Sequence, residues 1–243
     1  MFSKNQWVLP ATILAAAFLL GTLFISGTWR NVSKANQTIT VTGSAKKEII
    51  SDFGILRGTI SVQALSGKDA YHELERQKPI LFQYLAQKGF PKESLNLFTI
   101  TNYPVFEMNA QGMQTNIVSG YVYSQRIELQ SNDVNKIRNL SLEISSVIER
   151  GVNFSVEQPE YQYSKMAEIK IEIQAEAAKD AMIRAKKIAE ATDGDLGTMR
   201  NARMGVLQIT PKNSNMISDY GVNDLSSIEK EITAVVNASF EIK

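Results

Sequence analysis

The sequence predicts an α+β fold: a ferredoxin-like split β-α-β-β-α-β core, extended by a long alanine-rich helix and two C-terminal strands, and preceded by one transmembrane helix. Three observations support this prediction. Apolar residues alternate with polar ones in several segments, they recur at helical spacing in others, and the chain begins with a long uncharged run. The predicted divisions are a tail (1–6), a membrane helix (7–29), a spacer (30–37) and an exported domain (38–243).

The uncharged run predicts a membrane anchor. It comprises the 25 residues between Lys4 and Arg30, and about 20 apolar residues suffice to cross a bilayer core. The only two tryptophans, Trp7 and Trp29, bracket the run. A helix would place them about 33 Å apart, which suits the two aromatic belts of a membrane. The main alternative is a cleaved signal peptide, although the best cleavage-like site, Ile25-Ser26-Gly27, lacks the A-x-A form. A buried helix of a soluble protein is the third interpretation.

The anchor and the signal peptide would both export the remainder of the chain. We therefore expect a single-pass protein of the cell membrane, with the C-terminal domain on the periplasmic or other extracytoplasmic side. The lipid bilayer is its first predicted partner, through residues 7–29.

The first half of the exported domain is predicted to contain the β-α-β-β-α-β core. Alternating residues predict its strands, and apolar residues at helical spacing predict its helices. The predicted strands span 38–42, 56–64, 97–106 and 117–129 and resume at 152, and the predicted helices span 66–89 and 132–150.

Several residues mark the ends of these elements. Ser66 is a predicted N-cap, and Gly89 and Gly151 are predicted to end the two helices. Pro79 is expected to kink the first helix. A turn is predicted at 109–112. The stripe of the first helix predicted to face the core is Tyr71, Leu74, Leu81 and Leu85.

The second half begins with the alanine-rich helix, predicted at 165–192 and stopped by Gly194. Small residues on one helix face let a neighbouring backbone approach closely, and those assigned to this face are Ala175, Ala178, Ala185 and Ala189. Two strands come next, at 198–209 and 228–242. The polar loop between them, 211–226, is expected to be mobile or to form a contact surface.

Composition excludes several classes of function. Three of the 26 basic residues and none of the 25 acidic ones lie in the first 34 positions, so the exported part has a net charge of −2. That balance disfavours nucleic-acid binding, which depends on many Lys and Arg contacts to phosphates. The chain has no cysteine, which excludes disulfides, thiolate catalysis and cysteine-bound zinc.

No catalytic residue and no cofactor site is predicted. His72 is the only histidine, and it lies off the apolar stripe of its helix, as expected for a solvated residue. The sequence contains no G-x-S-x-G, S-x-x-K, Walker A loop or G-x-G-x-x-G.

The alanine-rich helix carries an acidic ridge, Glu168, Glu172, Glu176 and Asp180, with a residue at every fourth position. Like charges at this spacing repel each other, so a cation site or a surface for a basic partner is one interpretation. A solvated face compensated by nearby Lys and Arg residues is the interpretation that the sequence favours.

Four tyrosines on predicted strands are candidates for an interface between subunits: Tyr121, Tyr123, Tyr161 and Tyr163. Aromatic residues on a ferredoxin-like sheet can stack RNA bases, but the net charge argues against that use. We expect them to pack in the core or between subunits.

Read in order, several segments resemble the SIMPL-domain family of exported bacterial proteins. The segments are Ile39-Thr40-Val41-Thr42-Gly43, the helix end at Gly89 with Ser94-Leu95-Asn96-Leu97, Tyr103-Pro104-Val105-Phe106, Gly120-Tyr121, and the alanine-rich stretch 175–191 with Asp195-Leu196-Gly197. The resemblance covers residues 37–243. It implies an α+β domain of the cell envelope that self-associates, and it supplies no agreed catalytic residues. Some bacterial members are connected with oxidative-stress defence. Bacterial relatives often look cleavably exported, and the retained anchor predicted here departs from that pattern.

We therefore expect a non-enzymatic, membrane-anchored envelope protein that forms homo-oligomers and acts through contacts with an envelope protein partner. The alternative is a periplasmic module that binds a small ligand or a cation. A third hypothesis is a hydrolase that uses two carboxylates converging in one cleft.

Overall fold

The computed structural model describes residues 8–35 and 37–242, and in this range each of the first three α-helices is followed by two β-strands and the fourth by four. The helices are α1 (Val8–Ala35), α2 (Gly67–Gln87), α3 (Val134–Glu143) and α4 (Met166–Ala191). The strands are β1 (Thr38–Ile50), β2 (Phe53–Ala64), β3 (Leu95–Met108), β4 (Gln114–Ser131), β5 (Phe154–Val156), β6 (Glu160–Gln162), β7 (Leu196–Met204), β8 (Gln208–Pro211), β9 (Val222–Asn223) and β10 (Glu229–Ile242). Short 3₁₀ helices span Lys92–Ser94 and Ile144–Arg150. The predicted α+β class is confirmed.

The chain divides into two compact units. The first consists of the described parts of residues 1–46, 170–207 and 233–243, and the second consists of residues 47–169 and 208–232. Strands β1 and β10 and helix α4 contribute residues to both units.

The second unit contains an antiparallel sheet with the strand order β3-β4-β2-β5, and β6 pairs with the start of β2. Along the chain its elements run β2-α2-β3-β4-α3-β5, which is the predicted β-α-β-β-α-β order. Side chains from the sheet, from α2 and α3 and from the second 3₁₀ helix form one apolar core. Its fully buried members include Leu56, Ile60, Leu74, Leu81, Leu85, Ile127, Leu129, Ile137 and Ile144.

The ends of α2 are set as predicted. The Ser66 side chain accepts the Asp69 backbone N–H at 3.1 Å, and Gly89 lies just beyond the helix with φ +84°. Leu74, Leu81 and Leu85 are buried as expected, whereas Tyr71 is exposed. The helix includes Pro79 and continues beyond it.

The next helix differs from its prediction. The α-helix α3 ends at Glu143, and the chain continues to Arg150 as a 3₁₀ helix that Gly151 ends with φ +78°. The stop was therefore placed correctly, but the last turns have a tighter geometry. The Asp133 side chain caps the start by accepting the backbone N–H groups of Asn135 and Lys136.

In the first unit, β10 pairs with both β1 and β7. The small residues of α4 lie against this sheet, where Gly43 of β1 meets the α4 backbone. A Cβ atom at position 43 would lie 2.3 Å from both the Ala177 O atom and the Ala181 N atom. Only glycine fits so close an approach.

The face of α4 assigned to close packing is correct only in its second half, where Ala185 and Ala189 are buried as predicted. The buried alanines upstream are Ala177 and Ala181, which continue the four-residue steps of Ile169 and Ile173, while Ala178 is half-buried and Ala175 is exposed. The end of α4 also differs slightly. Gly194 donates its N–H to the Ala189 O atom at 2.9 Å, but the residue with left-handed backbone is Asp193, with φ +55°.

The C-terminal region contains four strands where two were predicted. The segment predicted as one strand at 198–209 is divided near Gly205, whose N–H donates to the Val235 O atom, into β7 and β8. The polar loop 211–226 contains the two-residue strand β9, which pairs in parallel with β8.

The N-terminal segment is helical over Val8–Ala35. Among the described residues, no helix is both long enough and apolar enough to span a membrane. The predicted anchor at 7–29 is therefore not confirmed. Trp7 and the side chain of Trp29, its predicted interfacial residues, lie outside the described part of the chain.

Candidate functional site

The β3–β4 hairpin extends beyond the sheet to which it belongs. β2 ends at Ala64, which pairs with Tyr121 of β4, and Tyr121 pairs on its other side with Pro104 of β3. Beyond this point β3 and β4 pair only with each other among the described strands. We call this segment, residues 105–120, the arm.

The tip of the arm is a tight turn built by Asn109. Its backbone N–H donates to the Met113 O atom, and its side-chain oxygen accepts the backbone N–H groups of Gln111 and Met113. Gly112 supplies the positive φ of +75° that the turn requires. The predicted turn at 109–112 is thus confirmed, and it fixes which residues of the two strands oppose each other.

Apolar side chains on the arm are exposed on both faces. Met108 and Ile117 have 70% and 60% of their surface exposed. Ile117 and Val118 are consecutive residues of β4 and so point to opposite faces. The only charged residue of the arm is Glu107. This is an unusual surface for a solvated hairpin, which would ordinarily carry more charge.

Strand β3, which continues into the arm, is irregular. The pairing of β3 with β4 shifts register between Leu97 and Ile100, between Val105 and Phe106, and between Phe106 and Met108. Bulges of this kind bend a strand and interrupt its row of free backbone groups.

The predicted interface tyrosines do not form one surface. Tyr121 and Tyr123 are half-buried at the base of the arm, where the Tyr123 ring meets the Tyr71 ring of α2 edge-on at 6.1 Å. Tyr161 is only 4% exposed and belongs to the apolar core, so its ring is not available to a partner. Tyr163 is half-buried. The structure thus assigns Tyr123 and Tyr161 to packing within the second unit.

The acidic ridge on α4 does not gather into a metal site. Asp180 accepts the Ser44 backbone N–H at 2.8 Å and pairs with Arg184 at 2.7 Å. These contacts, the first above all, hold the pKa of Asp180 below its usual value. No group of three or more potential metal-ligating residues occurs in the part of the chain that the structure describes. Glu168, Glu172 and Glu176 lie along α4, and none of them belongs to such a group.

His72, the sole histidine, is exposed on α2 as predicted and contacts the Tyr71 ring.

Two charged groups inside the second unit were not predicted. Arg57 of β2 donates to Glu128 of β4 and to Glu160 of β6, both at 2.6 Å. Burial tends to raise the pKa of Glu128, but hydrogen bonds from Arg57 and Gln130 outweigh it and keep that pKa below its usual value. The alternation of apolar and polar residues predicts β2 as a strand, but it does not predict these ion pairs. A partner on another strand, far along the chain, leaves no local signal in the sequence.

The second such group is Lys230, which is 1% exposed. Its ammonium donates to the backbone oxygens of Tyr161 and Asp224. Burial lowers the pKa of Lys230, and the Asp224 carboxylate opposes this effect. Lys230 therefore fastens the end of the polar loop to β6.

The comparisons with known proteins show the family of this chain and give no activity. No curated protein matches the chain. One matching solved structure is that of a protein from Burkholderia cenocepacia, provisionally described as an amidohydrolase/peptidase. The match has 14% identity and a TM-score of 0.22, and it covers 54% of this chain but only 32% of that one. A likeness of this size supports no statement about function.

The family model named SIMPL, described as a protein of unknown function (DUF541), matches residues 39–240. This range takes in the whole of the second unit, the arm included, and most of the strands of the first. Because the match spans most of the chain, the protein belongs to the SIMPL family.

Proposed function

We propose that the protein is a non-enzymatic assembly protein, whose copies associate through the arm and which acts through the contacts of the resulting homo-oligomer. The observation that carries this proposal is the exposure of apolar side chains on a two-stranded ribbon. Such patches on soluble surfaces usually mark contact sites.

The energetics favour a covered arm. An isolated two-stranded hairpin is marginally stable in water, and among the described strands the arm lacks a third one to support it. Burying Met108, Met113 and Ile117 against a partner would contribute roughly 1.5–3 kcal/mol for each side chain, before the entropy cost of association. That gain would offset the cost of holding the ribbon in one conformation.

A second copy of the chain is the partner that the charges favour. Glu107 is the only charge on the arm, so two arms can approach with little repulsion. Closed symmetric association of identical chains is also the commonest form of assembly. The alternative is a different envelope protein that covers the same side chains, in which case the chain alone would be a monomer.

Location forms a separate part of the proposal. The extracytoplasmic side, the membrane anchor and a role in envelope or oxidative-stress defence rest on the sequence and the family resemblance. The arm could support assembly in any compartment, so a test of location leaves the assembly proposal standing.

The test is light scattering coupled to size-exclusion chromatography on the full-length chain. We expect a discrete oligomer, and we expect the double variant Met108→Lys with Ile117→Lys to dissociate to smaller species. The matched control is Met216→Lys with Ile217→Lys, which charges the same two residue types at exposed positions of the polar loop. The control should keep the oligomer, and because α1 is unchanged in every sample, contacts made by α1 cannot explain a difference.

A monomeric wild-type chain at high concentration would refute the proposal. So would an arm variant that keeps the wild-type mass while its circular dichroism spectrum shows a folded protein. A monomer that binds a different protein through the arm would support the envelope-partner alternative instead.

A further inference from the structure

A second surface, separate from the arm, has the features of a ligand site. A cleft with a volume of about 790 Å³ lies in the second unit, between α3, the segment before β6, and the loop ends that flank β8 and β10. This volume is in the range of small-molecule sites. The arm contributes no residue to it, so the inference is independent of the proposed function.

One wall of the cleft carries an unpaired positive charge. Arg138 lines it from α3, and among the described residues no carboxylate forms an ion pair with its guanidinium. The charge lies close to Tyr161 at the base of the cleft: burial raises the pKa of that phenol, and Arg138 partly opposes the rise. A guanidinium placed so can receive a carboxylate through two parallel hydrogen bonds.

The other charged residues that line the cleft are Lys212 and Glu229. Lys212 pairs with Glu229 at 3.6 Å and also with Glu48, outside the lining, at 2.8 Å. The lining thus holds two basic residues and one acidic residue. Arg138, which has no ion-pair partner among the described residues, therefore favours an anionic ligand.

The mouth of the cleft is apolar. Ile50 and Leu142 have 65% and 75% of their surface exposed although both line it. Leu142 lies four residues after Arg138 on α3 and thus on the same side of the helix. Val134 and Ile228 add apolar lining further in. An apolar group bound here would cover side chains that water now contacts.

We propose that this cleft binds a small organic carboxylate with an apolar body, with the carboxylate on Arg138 and the apolar body against Ile50 and Leu142. The cleft combines the unpaired charge of Arg138 with the apolar side chains at its mouth, which matches a ligand with a charged end and a hydrocarbon end. Neither part alone specifies the ligand, and a molecule that engages both should bind most tightly.

The test uses three probes of equal chain length: hexanoate, hexanol and hexylammonium. Binding of each to the full-length chain is measured by saturation-transfer NMR, which detects weak ligands on large proteins. We expect hexanoate to bind more tightly than hexanol, and hexylammonium to bind least. Arg138→Gln should weaken hexanoate about tenfold or more, because hydrogen bonds to charged groups are worth about 1.5–3 kcal/mol. Hexanol binding should change little in that variant.

Two further variants complete the design. Arg203→Gln removes an exposed arginine of β7 outside the cleft and should leave hexanoate binding unchanged. Leu142→Ser should weaken hexanoate and hexanol alike. Equal binding of the three probes, or an Arg138→Gln chain that is folded and binds hexanoate as the wild type does, would overturn the proposal.

Discussion

Gly43 shows how much one residue can depend on a distant part of the chain. Gly43→Ala would place a methyl group 2.3 Å from backbone atoms of Ala177 and Ala181, and backbone atoms of a helix cannot step aside as a flexible side chain can. We expect a loss of about 2–3 kcal/mol in the free energy of unfolding, measured by chemical denaturation. Gly21→Ala in α1, where nothing lies within 4 Å, is the control and should not destabilise. Equal midpoints for both variants would contradict this close packing of β1 on α4.

A second prediction at the residue scale concerns acid stability. The folded-state pKa of Glu128 lies below its ordinary value of 4.5, so its contribution is complete above pH 4.5 and is lost as the pH falls through the folded-state pKa. Glu128→Gln should cost roughly 1–3 kcal/mol at neutral pH and make the loss of stability in acid less steep. The measurement is denaturation at pH values from about 7 down to about 3.

Glu157→Gln is the matched control for this prediction. Glu157 pairs with Arg126 at 2.7 Å, but both side chains are about half exposed, and such pairs contribute little. The control should therefore follow the wild-type pH dependence. If both variants change the pH dependence of stability equally, the partial burial of the Arg57–Glu128 pair does not explain the effect.

These residues also show what the sequence could predict. Ser66, Gly89 and Gly151 were placed correctly because a cap depends on its own helix end and on the few residues around it. Gly43 and Arg57 gained their roles from partners many residues away. A single sequence has no signal for contacts of that kind.

At the scale of elements, Lys230 holds the end of the polar loop in place. Lys230→Met removes the donor to the Tyr161 and Asp224 backbone oxygens, so the end of the loop should open more often. We expect faster chymotrypsin cleavage at Tyr220 than in the wild type. Lys179→Met, which changes an exposed lysine of α4, should be cut at the wild-type rate. Unchanged cleavage of the Lys230 variant would mean that other contacts hold the loop.

The arm illustrates how element lengths escape sequence reasoning. The strands at 97–106 and 117–129 and the turn between them were predicted, and the observed strands are longer at the tip, Leu95–Met108 and Gln114–Ser131. That β2 would stop at Ala64 and leave the tip unsupported depends on pairing between distant segments. The available clue was the low charge of residues 98–120, in which Glu107 is the only charged residue.

At the scale of the whole molecule, the site residues chosen from the sequence and those favoured by the structure differ. Self-association was expected from the family resemblance, but the tyrosines assigned to it include Tyr161, which lies in the core. The exposed apolar residues of the arm and the cleft beside Arg138 were not singled out. Exposure depends on which elements cover which, and alternation alone cannot report it.

Location is also a prediction for the whole chain. The uncharged run predicts that the full-length protein sediments with membranes and stays there after a wash at high pH, while a chain beginning at residue 37 is released. The structure describes α1 as a helix, and no helix of the described residues is long and apolar enough to span a membrane. Fractionation is therefore the test of the anchor. Release of the full-length chain by the wash would refute the anchor.

The irregularity of β3 bears on how large an assembly of copies can become. A long edge strand with few charges is a template on which further strands can add without limit, and such growth ends in fibres. Pro104 has no N–H to offer an added strand, and three register shifts disturb the spacing of the remaining groups in β3. If copies associate through the arm as we propose, these features oppose the addition of another copy's strand to β3, which favours closed particles over filaments.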